Sequence, residues 1–314
     1  MRTLVCFALF IFGLLPSFGQ KKQVCFSVDD LPIVTYGITD TVFQKDLMNR
    51  LIFSLTANKI PAIGFVNEIK LYNNNITIPF QVQLLQHWVD NDLELGNHTF
   101  SHPDYNSISL KKYSEDILKG ELVTKELLKR KSIKLKYFRH PFLHVGNSKE
   151  KSDSLSLFLL NHGYIVAPVT IDNEDYLFAL AYKRANDKKD INLMKQIGSD
   201  YVVYMEQKLK YFEQQAYKLF GRNINQILLL HASLLNSDYI DSLAKMFHKN
   251  NYAFISIDKA LEDDAYKTQV TAYGNWGISW IDRWVLSQGK KGDFFKGEPA
   301  TPDYIKKLSV VRPE

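Results

Sequence analysis

The sequence predicts an α/β fold in which crossover units build a parallel sheet or barrel. Three observations lead there. Short apolar runs alternate with amphipathic stretches along most of the chain. The polar residues best able to do chemistry fall at the C-terminal ends of those runs, the rim where active sites gather in parallel α/β folds. At 314 residues the chain can also bury a substantial core, as one large domain or two ordinary ones.

The first segment stands apart from this rhythm. Arg2 precedes an unbroken apolar stretch from Leu4 to Leu15, followed by Pro16-Ser17-Phe18-Gly19. Ser17 and Gly19 supply small residues at the −3 and −1 positions of a cleavage site, so residues 1–19 read as a secretory signal peptide. The stretch is short for a span of about 20 residues. Cleavage therefore leaves no stable membrane anchor, and no Cys at the cut site points to a lipid anchor. Export to a periplasm or the extracellular space is the expected location. Of the two cysteines, Cys6 leaves with the signal and Cys25 remains alone, a small buried hydrophobe in the first strand.

The elements then follow in order. Gln23 to Val28 reads as a buried strand, Asp40 to Asn58 as an amphipathic helix, and Ala62 to Val66 as a second strand after Pro61. Pro79 opens a helix through Asp90, with proline in the favoured first turn. Leu93 to Gly96 is a short strand, Lys111 to Arg130 a helix, Lys136 to Arg139 a strand, and Lys149 to Asn161 a helix closed by Gly163. Tyr164 to Ala167, Gln226 to Leu230 and Tyr252 to Ile257 complete the strands, with a helix from Asp238 to Lys249. Residues 177–225 form an unusually long connection, helical around Ile191 to Phe220. Residues 264–314, with Trp276, Trp280 and Trp284, read as an appended segment that packs on the core or frames a groove.

Composition narrows the function. The net charge of +5 is spread among acids, with no aromatic-interleaved basic stripe, so nucleic-acid binding is not expected. With 20 Phe, 17 Tyr and 4 Trp, the chain has ample aromatic surface to line a groove.

The strand ends carry the chemistry. Asp29 and Asp30 follow the first strand, where two adjacent carboxylates repel unless a cation or partner stabilises them. His98 and His102, in Asn97-His98-Thr99-Phe100-Ser101-His102, stand four residues apart and lie on one face if that turn is helical. One carboxylate with two histidines makes a three-ligand site for a divalent metal with a position open to water, and the other carboxylate is free to act as a base. Spacing alone does not settle this, because His140 and His144 repeat it with Pro141 between them. His231 ends an apolar strand and reads equally as a core histidine or a functional one, and Asp172 and Asp175 alone look like an acidic loop.

In order, the set is Val28-Asp29-Asp30, His98 to His102, Arg139-His140-Pro141-Phe142, Asp172 to Tyr176, and Leu229-Leu230-His231. It resembles the five-motif signature of the polysaccharide deacetylases, carbohydrate esterase family 4 with its NodB-homology domain, over roughly residues 23 to 260. The sequence departs from that signature at Ser27-Val28, where Thr-Phe is commoner, at Phe142 for Tyr, and at Tyr176 for Trp. The resemblance implies a distorted (β/α) barrel of seven to eight mostly parallel strands. It places the catalytic domain at 20–263, leaving 264–314 as a C-terminal extension.

The resemblance also implies the roles. Asp30, His98 and His102 would hold a divalent ion, usually Zn2+. Asp29 would be the general base and His231 the general acid, with Arg139 orienting Asp29 and Asp175 tuning His231. Tyr176 and Leu229 would line the acetyl-methyl pocket, and the Phe142 backbone N–H would help bind the oxyanion. The function so implied is removal of N-acetyl groups from an acetylated polysaccharide, a peptidoglycan or chitin-like glycan. The same site would serve an O-acetyl esterase on acetylated xylan. A non-catalytic carbohydrate-binding relic would be expected to have lost Asp29 or His231, and both are present. A non-haem iron oxygenase also uses two histidines and a carboxylate, but gives Asp29 and His231 no task.

Overall fold

The structure is a computed structural model and describes residues 22–310; the expected signal peptide lies outside the described residues. In chain order the elements are β1 (Lys22–Leu31), α1 (Thr41–Ala57), β2 (Ile63–Val66), β3 (Tyr72–Asn73), β4 (Ile76–Thr77), α2 (Pro79–Asp90) and β5 (Glu94–Asn97). There follow α3 (Leu110–Lys119), α4 (Leu122–Lys129), β6 (Tyr137–Phe138), α5 (Lys149–Asn161), β7 (Ile165–Val166), α6 (Asp175–Asp187) and α7 (Ile191–Phe220). The chain ends with β8 (Gln226–His231), α8 (Leu234–Lys249), β9 (Tyr252–Phe254), α9 (Ile257–Leu261), α10 (Trp280–Ser287) and α11 (Asp303–Ser309).

Seven strands form one parallel sheet in the order β7-β6-β5-β2-β1-β8, with β9 pairing the first residues of β1. Just beyond β7, Ile171 bridges in parallel to Leu228 of β8. The two ends of the strand order are thereby drawn together, and the sheet curls into a distorted barrel. β3 and β4 make a separate two-stranded hairpin.

β1 is the central strand, flanked by β2 and β8. Its continuous run Val24 to Val28 is fully buried, as a parallel strand covered on both faces must be. Alternation sorts that run into two layers. Val24, Phe26 and Val28 pack in the large outer cluster with the helices. Cys25 packs instead with Ile63, Phe65, Tyr137, Ala167 and Ile227, which fill the barrel interior together with Ile257 and Ala260 of α9. Cys25 is a free, buried thiol in that cluster.

Two regions differ from the sequence expectation, and a third packs on the core as expected. The helix expected over 111–130 is broken at Gly120, because a Cβ there would sit 2.3 Å from the Thr99 backbone. The long connection 177–225 holds two helices, α6 and α7, rather than one. Residues 264–310 share the main core: Trp280, Ile281, Trp284, Val285 and Ile305 are buried in the same cluster as the barrel's outer layer. No helix among the described residues is long and apolar enough to cross a membrane.

Candidate active site

Alternation along β1 places Ser27 and Asp29 on the inward face with Cys25. Asp30 would then face outward, but it adopts φ 66°, in the left-handed region. The break in alternation brings both carboxylates to one place at the barrel rim.

Asp30 Oδ1 lies 3.8 Å from His98 Nε2 and 3.8 Å from His102 Nε2. Among the described residues this is the one group of three or more His, Cys, Asp or Glu side chains whose donor atoms converge, all within 4.8 Å of one another. The two histidines meet through a loop and not through a helical turn: Thr99 and His102 have φ of 67° and 57°. Asn97 Oδ1 accepts from Thr99 N at 2.6 Å, Thr99 Oγ1 from His102 N at 3.0 Å, and Asp116 Oδ1 of α3 from Phe100 N and Ser101 N, both at 2.9 Å. Gly120 lets the end of α3 lie close enough for Asp116 to do this.

The electrostatics fit a cation. His98 Nδ1 lies 2.8 Å from the Arg139 carbonyl, which can only accept, so Nδ1 carries the proton and Nε2 offers its lone pair toward Asp30. Burial holds His98 well below the usual imidazole range, in its neutral form. Burial works against ionisation of Asp30, but the charges of Lys70 and His231, foremost among its neighbours, outweigh it and hold the carboxyl below the usual range. Its Oδ1 is buried and finds no hydrogen-bond partner among the described residues. An orphaned carboxylate oxygen facing two imidazole nitrogens is the donor set of a borderline divalent cation.

Asp29 behaves differently. It is buried, and burial pushes its carboxyl up to about 6 despite the opposing charge of Arg139. Arg139 Nε lies 3.9 Å from Asp29 Oδ1, an ion-pair distance beyond hydrogen-bond reach. The fully buried guanidinium is fixed by donation to Ser27 Oγ at 2.8 Å and by the Phe65 ring, 4.8 Å away.

His231 stands opposite Asp29 in the β1–β8 register. Its Nδ1 lies 2.6 Å from Asp175 Oδ1, while Asp175 Oδ2 accepts from His231 N and from Asn236 Nδ2, each at 2.8 Å. Tyr201 Oη donates to Asn236 Oδ1 at 2.7 Å, so a chain of three side chains, Asp175, Asn236 and Tyr201, holds the imidazole in place. Burial lowers the His231 pKa, but Asp175 prevails and raises it to about 9.

A cavity of about 470 Å³ joins these groups: Asp29, Asp30, His98, His102 and His231 line it, with Phe142, Tyr176 and Leu229. Arg139 and Asp175 sit behind the lining and act through Asp29 and His231. The Phe142 ring packs on His102 at 4.5 Å, and the Tyr176 ring lies 6.3 Å from His231. The competing pair His140 and His144 borders the cavity without converging on a carboxylate pair. His144 Nδ1 is 2.6 Å from Asp104, and His140 is stacked on Trp280 and driven down to about 3 by burial. Sequence reasoning missed Ser27, Asn236 and Tyr201, whose partners lie far along the chain, and Asp116, which reaches back 15 residues to Ser101. It also missed Gly277, which lines the cavity from the C-terminal segment.

Residues 19–155 match the family model described as polysaccharide deacetylase. Over these residues the chain is similar to the polysaccharide deacetylase family. The matched part includes Asp29, Asp30, His98, His102, Arg139 and Phe142; Asp175, Tyr176, Leu229 and His231 follow it. Three similar solved structures bear related descriptions. A family 4 carbohydrate esterase from Bacillus anthracis is 19% identical with a TM-score of 0.45, over 77% of this chain and 83% of that one. The peptidoglycan deacetylase PdaC from Bacillus subtilis is 16% identical with a TM-score of 0.48, over 79% and 94%. A family 4 carbohydrate esterase from Streptomyces lividans, in complex with acetate, is 16% identical with a TM-score of 0.44, over 76% and 95%. No curated protein matches the chain.

Proposed function

We propose that this chain is an exported, zinc-dependent deacetylase that removes N-acetyl groups from a polysaccharide such as peptidoglycan or a chitin-like glycan. The observation that supports the reading is the different setting of Asp29 and Asp30. Asp30 Oδ1 faces both His98 and His102 at 3.8 Å, while Asp29 Oδ2 approaches His98 alone, also at 3.8 Å, and its carboxyl is raised by burial.

A divalent cation on Asp30, His98 and His102 would supply Lewis-acid polarisation of the acetyl carbonyl and lower the pKa of a water beside it. The chain's own residues account for the proton transfers. Asp29 accepts a proton from the attacking water, and Arg139 holds that carboxylate in place. The Phe142 N–H faces the developing oxyanion. His231, protonated and held by Asp175, gives its Nε2 proton to the leaving amine, which leaves poorly as an anion. Leu229 and Tyr176 enclose the acetyl methyl group.

The test is acetate release from peptidoglycan, N-acetylchitooligosaccharides and acetylated xylan, with and without a chelator. Chelator-sensitive release from the first two is expected, and release from xylan alone would point to an O-acetyl esterase. Asp29→Asn should keep zinc and lose turnover by a factor of about 10² or more, whereas His98→Ala should lose both. Turnover unaffected by chelation would overturn the proposal.

A further inference from the structure

A second histidine–aspartate pair borders the cavity and has no part in the reaction above. His144 lines the cavity, and its Nδ1 lies 2.6 Å from Asp104 Oδ1. Burial works to raise the Asp104 carboxyl, but hydrogen bonds from His144, Ser107 and the Asn106 N–H outweigh it and hold it below the usual range. An ionised carboxylate can only accept. In the neutral His144 ring Nδ1 therefore carries the proton, and Nε2 is left as an acceptor. Asp104 is not in the cavity lining, so the ring edge turned away from it, with Nε2, is the edge that faces the cavity. Nε2 has no hydrogen-bond partner among the described residues.

His144 is also held firmly. It follows the turn of Phe142 and Leu143, both at φ 55°. Arg283 Nη2 donates to Leu143 O at 2.8 Å, and a Cβ on Gly277 would stand 3.6 Å from His144 Cδ2. Asp104 is fixed in turn by Asn106 N and Ser107 Oγ, each at 2.8 Å. A histidine that merely tied residues 104–107 to this turn would need Nδ1 alone. Here the tie leaves the second nitrogen turned to the cavity that Asp30 and His231 also line. The Phe142 ring packs near both histidine groups, 5.8 Å from His144 and 4.5 Å from His102. The same lining carries Asp172, one oxygen of which accepts from Asn173 N at 2.8 Å, and buried His140, whose Nδ1 has no partner. These groups do not converge as metal ligands do. Polar groups that stand apart in one cavity suit separate hydroxyls of a sugar.

We propose that His144, oriented by Asp104, is a specificity-determining residue that accepts a hydrogen bond from a hydroxyl of the N-acetylated sugar. The choice of ligand rests on the deacetylase reading, but binding is measured apart from turnover. A sugar that lacks this hydroxyl leaves Nε2 unpaired beneath it, and that loss is what discriminates.

The experiment is calorimetric binding of three probes to the mature protein: N-acetylchitotetraose and its 3-deoxy and 6-deoxy analogues, which lack in turn the two hydroxyls free on an internal residue. One analogue should bind about five- to ten-fold more weakly than the parent. His144→Ala should weaken the parent by the same factor and no longer distinguish that analogue. Asp104→Asn should act in the same direction, because an amide N–H can donate to Nδ1 and move the ring proton to Nε2. His144→Gln, whose amide oxygen reaches about as far as Nε2, should restore the preference for the parent. Parent binding unchanged in His144→Ala, equal binding of the three probes by the unaltered protein, or no binding of any of them overturns the assignment. Acetate release from the tetraose separates the two readings. Discrimination that depends on His144 without any release leaves the assignment standing and overturns the deacetylase reading, and release without discrimination does the reverse.

Discussion

Asp29 and Asp30 are adjacent and chemically identical, yet their surroundings push them in opposite directions. Burial raises Asp29 to about 6, whereas neighbouring cationic groups hold Asp30 below the ordinary carboxylate range. Divergent environments of this kind assign acid–base work without reference to position in the sequence. Across the register, His231 is raised to about 9 by Asp175. The reaction needs Asp29 ionised and His231 protonated, so kcat/KM should rise through about 6 and fall through about 9, and a bound dication would draw the acidic limb lower. Asp175→Asn removes the charge that holds the imidazolium. The His231 pKa then falls, and the alkaline limb should move to lower pH while the acidic limb stays with Asp29. A pH profile of acetate release checks this, and an alkaline limb that stays in place would show that His231 is not the acid. The ten candidate residues were legible because each lies in a short motif at a strand end. Asn236, which completes the hold on Asp175, was not, because nothing near it in the chain marks a partner 61 residues away.

The loops that present these residues are held against their own conformational preference. Asp30, Thr99, His102, Phe142 and Leu143 all have positive φ without being glycine, at roughly 1–2 kcal/mol each. The compensation comes from neighbouring elements. Asp116 of α3 ties down the histidine loop, and buried Arg283 of α10 donates through Nη2 to Leu143 O and to Trp276 O, each at 2.8 Å. Gly277 lies so close to this turn that a Cβ would stand 2.2 Å from Phe142 O. Gly277→Ala must therefore displace the Phe142 turn. The expected result is a loss of about 1–3 kcal/mol in stability with a fall in kcat, read by thermal unfolding and steady-state kinetics together. Full activity in this variant would sink the idea that residues 264–310 shape the site. Seven strands and α7 could be read from apolar runs and helical periodicity. α6 was hidden because its N-cap, Glu174, makes no side-chain cap, so no start signal is written there. The break between α3 and α4 was hidden because its cause is a tertiary approach to Thr99.

At the scale of the whole molecule, the barrel brings together residues from β1, β5 and the loop after it, β8 and α6, none of which forms a site alone. A ligand bridging β1 to the loop after β5 should therefore stabilise the folded chain, since the unfolded chain has no such convergence. Linkage gives about 2.7 kcal/mol at a free concentration one hundred times Kd. With a shift of about 2 °C or more per kcal/mol for a domain of this size, the melting temperature should rise by roughly 5 °C. Zinc added to the metal-free protein should produce that rise, and a chelator should reverse it. His98→Ala should abolish the shift, because His98 supplies one of the three converging donors. Asp29→Asn should preserve it, because Asp29 approaches His98 but not His102 and is not one of the three converging donors. The assay reads the donor set without reference to turnover, so set beside acetate release it separates a metal-binding chain that has lost catalysis from an active deacetylase. A melting temperature indifferent to zinc would remove the cation from the mechanism, whatever the sugar in the groove.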